Sequence, residues 1–100
     1  MALNDIEFEK FKLSLKKASE ELETKELEYY SEWVYFLPSH SLKMKGISLT
    51  HEYDIPTGLD GFGVEDLNKL EKMGFLVKNF ESDEDPITFE KTTKYLILNQ

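Results

Sequence analysis

His40 and His51 are the only imidazoles in the chain, and with Glu52 and Asp54 they form the one set of residue types that resembles a metal site. A zinc-binding helix needs histidines four residues apart on one face, with a third donor nearby. His51-Glu-Tyr-Asp54 lacks that spacing, and no cysteine is present to complete a ligand set. Surface or hydrogen-bonded histidines are the expectation, with no metal and no cofactor. Gly58, Gly61 and Gly63 crowd ahead of a helical pattern, as in a loop that cradles phosphate. No lysine followed by serine or threonine closes that cluster, and Asp60 stands where an anion would sit. Turns are the expected role of these glycines. Adjacent acids such as Glu20-Glu21 and Glu65-Asp66 are inevitable in an acidic chain, and neither a cysteine nor a serine elbow supplies a nucleophile. The sequence therefore predicts a protein that is not an enzyme.

Recognition is the chemistry that remains. Tyr29, Tyr30, Trp33, Tyr35 and Phe36 place five aromatics within eight residues. A core absorbs some of them, and Tyr29, Trp33 and Phe36 are the candidates for an exposed patch that binds protein. The other reading is a wide core-facing surface capped by tyrosine hydroxyls. Lys10, Lys12, Lys16 and Lys17 form a basic cluster, expected as the solvated flank of an amphipathic helix that pairs with Glu9, Glu20 and Glu21. Twenty acids against twelve bases give a net charge of −8, and every base is lysine. The missing arginines remove the bidentate fork favoured for phosphate and guanine. Residues 51–100 hold eleven acids and five lysines, so the second half is the more acidic one. Both facts weigh against nucleic acid as a partner.

The elements that would carry these residues follow from periodicity. Phe8, Phe11, Leu15, Ala18 and Leu22 recur at steps of three and four, which predicts a helix over about 5–22 capped by Asn4 or Asp5. Leu27, Tyr30, Val34 and Leu37 repeat that spacing after a five-residue step, which predicts a second helix over about 25–37. Pro38 ends it. Residues 46–50 fit a short strand or one helical turn, and Pro56-Thr-Gly58 and Asp60-Gly61 are turn signals. Val64, Leu67 and Leu70 share a face, with acids in the first turn and lysines in the last, which predicts a helix over 64–73 stopped by Gly74. Strands are expected over 75–80 and 87–90 around the acidic tip Glu81-Ser-Asp-Glu-Asp-Pro86. Residues 92–98 suit either a strand or a helix. One domain spans the hundred residues, and no apolar run approaches the ~20 residues that cross a bilayer. With an N-terminus unlike a signal peptide, a cytoplasmic location and no membrane are expected.

Leu67-x-x-Leu-Glu-x-x-Gly-Phe-Leu76, followed by Phe89-x-x-Thr-x-Lys-Tyr-Leu96, resembles the second half of a bacterial winged-helix domain. The resemblance covers about forty residues and implies an α+β fold: N-terminal helices over about 5–37, then a winged-helix-like helix and β-hairpin within 42–98. It maps a DNA-reading face onto Glu65, Asn68, Lys69 and Lys72, and a wing onto Asn79 to Pro86. Asp83, Glu84 and Asp85 at that tip would repel a phosphate backbone. The expectation is a protein-interaction or regulatory module acting through a homodimer or a larger partner, with Tyr29, Trp33 and Phe36 in contact. A phage-type or accessory protein is consistent with this composition. The alternative is a DNA-binding regulator reading with Asn68, Lys69 and Lys72.

Overall fold

The computed structural model describes residues 3–56 and 61–98, without the side chain of His51. The turn expected at 57–60, including Gly58 and Asp60, lies outside the described residues. Helix α1 (Asp5–Leu22) opens the chain. Asn4 caps it reciprocally: its side-chain oxygen accepts from the Glu7 N–H at 2.8 Å, and its own N–H donates to the Glu7 carboxylate at 3.3 Å. Phe8, Phe11, Leu15 and Ala18 are the buried stripe, as their spacing requires. Glu23 then turns left-handed at φ 53° and ends the helix.

The second helix does not exist. Residues Glu26–Val34 form strand β1, and Leu37–Met44 form β2, joined by a two-residue turn. Of the four residues whose spacing suggests a helix, Leu27 is buried, Tyr30 is half-buried, and Val34 and Leu37 are exposed. The side chains that matter alternate instead: Leu27, Tyr29, Ser31 and Trp33 share one face of β1. Two physical terms override the helical spacing. Aromatic and β-branched residues lose rotamer freedom in a helix and fit a pleated surface. β1 is also a central strand, bonded to β2 on one side and β5 on the other, so the whole sheet depends on its being extended. The five-residue step between Leu22 and Leu27 is where the period changes from 3.6 to 2.

Beyond Gly46 come β3 (Ile47–Ser48) and a single turn, α2 (Leu49–Glu52), so both readings of the 46–50 region are realised in succession. Helix α3 (Val64–Lys72) buries Leu67 and Leu70 of the predicted stripe but leaves Val64 exposed in its first turn, and Gly74 is left-handed at φ 81° just past its end. Strand β4 (Leu76–Glu81) pairs with β5 (Lys91–Ile97). Residues 87–90 are not a strand: they lie in and just after the turn that β4 and β5 flank. The ambiguous 92–98 segment is a strand because β5 inserts between β1 and β4 in the order β3-β2-β1-β5-β4, antiparallel throughout.

The class is α+β, but a helical half followed by a winged-helix unit is not its arrangement. One helix precedes a five-stranded antiparallel sheet, interrupted by a short helix. Leu27, Leu42, Met44, Leu76, Tyr95 and Ile97 of the sheet join Phe8, Phe11, Leu15, Leu67 and Leu70 of the helices in one core. Both helices therefore cover the same sheet face. Asp66 ties the N-terminal segment to α3: its buried carboxylate accepts from Leu3 N–H at 3.1 Å and from Gly63 N–H at 2.9 Å. No helix of the described residues is long and apolar enough to cross a membrane.

Candidate functional site

The end of the sheet formed by the β1–β2 turn holds the largest concentration of exposed rings. Tyr35 and Phe36 are the two central turn residues, 91% and 93% exposed. Trp33, Val34 and Leu37 flank them and are also exposed. Residues 82–90 come alongside: Trp33 N–H donates to the Thr88 carbonyl at 3.2 Å, and the Trp33 and Phe89 rings lie 6.0 Å apart. Ile87, 84% exposed, belongs to the same loop. Asp85 holds that loop in shape, its side chain accepting from the N–H groups of Ile87 at 2.8 Å and Thr88 at 3.0 Å. These bonds, to Thr88 and then Ile87, hold the Asp85 carboxyl below its ordinary pKa.

The backbone here is strained. Both Tyr35 (φ 50°) and Phe36 (φ 65°) adopt the positive φ that a type I′ hairpin turn demands, and Phe89 does so at 61°. Glycine and asparagine occupy such positions at little cost, whereas a side chain with a bulky Cβ substituent is disfavoured by about 1–2 kcal/mol.

The field at this end is negative. No lysine occurs between Lys25 and Lys43 or between Lys78 and Lys91, so both segments that build the end lack positive charge. Glu32 and Glu84 line the recess behind the turn, and Asp83, Asp85 and Glu90 belong to the adjoining 82–90 loop, near Tyr30. Tyr30 donates its hydroxyl proton to Glu32 at 2.5 Å, and that bond, with burial and the nearby Glu90, pushes its pKa up to about 12.

Behind the turn the rings are stacked and hydrogen-bonded. Phe62 stacks on Phe11 of α1 at 5.1 Å and on His40 of β2 at 4.4 Å. Tyr29 meets Phe62 edge-on, and its hydroxyl hydrogen-bonds with His40 Nδ1 at 2.9 Å. Burial, then the charge of Glu65, raises the Tyr29 pKa. Between this stack and the Trp33–Phe89 pair lies a recess of about 180 Å³, with Pro38, Gly63 and Glu84 also in its wall.

Of the three residues expected to bind a partner, the structure brings Trp33 and Phe36 to the exposed end and turns Tyr29 inward beneath it. Sequence reasoning passed over Tyr35, Ile87 and Phe89. The lysine-free runs on either side of these residues are the signal that marks them. His40 is engaged by Tyr29 and Phe62, and among the described residues no group of three or more histidine or acidic side chains is placed to hold a metal. Asn68, Lys69 and Lys72 are exposed on α3. The Lys69 ammonium lies 4.2 Å from the centre of the Phe8 ring, and Lys12 of α1 lies 5.8 Å from that of Phe75. The outer sheet face carries a larger depression of about 450 Å³. Charge of both signs lines it, Lys43 and Lys94 each pairing in register with Glu28.

Compared with models of protein families, with curated proteins and with solved structures, the chain matches none.

Proposed function

We propose that the protein is a non-catalytic interaction module of the cytoplasm, and that it binds another protein through the aromatic end made by Trp33, Tyr35, Phe36, Ile87 and Phe89. One observation carries this reading: three aromatic residues at one end of the molecule, Tyr35, Phe36 and Phe89, stand in left-handed backbone conformations. Glycine or asparagine would occupy such positions with less strain, so the turn geometry itself does not call for rings there. Exposed aromatics held by a stiff hairpin lose little entropy on docking, and tryptophan and tyrosine dominate the binding energy of protein interfaces. Five acids around the rings favour a protein surface with basic character over a nucleic acid.

Photo-crosslinking from position 36, with position 45 at the other end of β2 as control, tests the reading. Adducts are expected from position 36 in the cell that makes the protein, and none from position 45. Equal labelling from both positions, or none from 36, would sink it. An adduct of twice the chain's own mass would identify a homodimer as the form this contact takes.

A further inference from the structure

We infer that the recess behind Trp33 receives a cationic side chain, an arginine guanidinium, presented by the partner protein. This rests on the interaction reading above and specifies what the partner must offer. The volume, about 180 Å³, equals roughly six water molecules at ~30 Å³ each and falls below the ~300 Å³ where small-molecule pockets begin. It suits one side chain rather than a cofactor.

The walls select the charge. Trp33, Phe62 and Phe89 supply ring surface, and aromatic faces attract cations. Glu84 adds a carboxylate in the wall, and no lysine lines the recess. The Gly63 N–H at the start of α3 is already taken by Asp66 at 2.9 Å and is closed to an anion. Glu65, also in the first turn, further offsets the positive end of that helix. Among cations, arginine fits better than lysine, because a planar guanidinium is weakly hydrated and stacks on rings. The Trp33 and Phe89 rings lie 6.0 Å apart and are tilted by 57°, so ring surfaces of two orientations border the recess.

Trp33 is the only tryptophan and lines the recess, so its fluorescence follows events there. The probes are three capped tripeptides, glycine-X-glycine, in which X is arginine, citrulline or lysine. Titration should give a saturable change with the arginine peptide. Citrulline, which keeps the shape and loses the charge, should bind about tenfold more weakly. Glu84→Gln, at an exposed position, should weaken the arginine peptide about threefold and leave the citrulline peptide unchanged. Phe89→Ala should abolish the response, and backbone amide shifts should centre on Trp33, Gly63 and Phe89. Citrulline bound as tightly as arginine, no saturable change, or shifts centred on another face would overturn the assignment. A lysine peptide that binds as well as the arginine peptide overturns the preference for guanidinium. Tyr35→Asn with Phe36→Gly replaces no residue that lines the recess, so this variant should bind the peptide normally even as it loses protein crosslinks formed from a photo-reactive residue at the exposed position 87. Failure of the recess and failure of the interaction surface are thus read separately.

Discussion

β2 ends in two tight turns of the same backbone geometry and opposite composition. At its C-terminal end Lys45 and Gly46 connect it to β3, with φ of 51° and 76°. The glycine meets no atom within 4 Å of where a Cβ would stand, so its value there is purely conformational. At the N-terminal end Tyr35 and Phe36 make the same kind of turn with two large rings. The Lys45–Gly46 turn departs once, at Lys45, from the residue types that minimise strain, and the Tyr35–Phe36 turn departs at both positions and with large rings. A difference of this kind inside one molecule separates a turn that serves the fold from a turn that serves something outside it.

The contrast can be pressed at several points. Phe62→Ala should give the largest change, a loss of about 3–5 kcal/mol in urea unfolding, because Phe62 joins α1 to β2 beneath the strained turn. A loss below about 1 kcal/mol would mean that the aromatic end has no rigid base. Tyr95, which pairs in register with Leu27, provides a control at the far end of β1 from the Tyr35–Phe36 turn. Burial, with Glu71 and Glu81 nearby, pushes its pKa up to about 12, so the folded state holds this proton more tightly than the unfolded chain does. The stabilisation is complete below pH 10 and is lost as pH rises through about 12. Tyr95→Phe should therefore flatten that alkaline decline by about 2 kcal/mol, measured as the difference between the two unfolding curves at pH 9 and pH 12.

Replacing Tyr35-Phe36 with Asn-Gly should raise stability by about 1–2 kcal/mol while abolishing partner crosslinks formed from a photo-reactive residue at position 87. Unchanged or reduced stability would show that the rings already contribute to the fold. Gly46→Ala should lower stability by about 1 kcal/mol through backbone strain alone. Phe36→Ala should be the mildest for stability, within about 0.5 kcal/mol, since the removed ring is nearly all in solvent. These last two variants together ask whether turn chemistry or ring chemistry sets each site.

Much of the helical layer is legible directly. α1 has a capping residue, an apolar stripe of the right period and no competing pattern, so Asn4 to Leu22 reads correctly from local terms. α3 shows its charges at both ends and its stop at Gly74. The segment 26–37 misleads because its leucine, tyrosine and valine spacing satisfies a helix by coincidence. Its aromatic content and the five-residue break point the other way, and partner strands settle the competition. The site was half visible. Trp33 and Phe36 stand out by type, but Tyr29 carries the same signal and is turned inward by the alternation of β1. Phe89 lies far along the chain, and the spacing of residues around Trp33 contains no hint of it.

What the residues alone determined are the properties that act over a few positions: where α1 and α3 begin and end, the left-handed stop at Gly74, the acidity of the 81–86 tip and the absence of arginine. Such terms depend on a neighbour three or four residues away and survive any rearrangement of the rest. Tertiary structure decided whether 26–34 is extended, that β5 enters the middle of the sheet, and that the loop carrying Phe89 meets the turn carrying Phe36. Those outcomes rest on hydrogen bonds between strands more than fifty residues apart, whose partners exist only once the sheet has assembled.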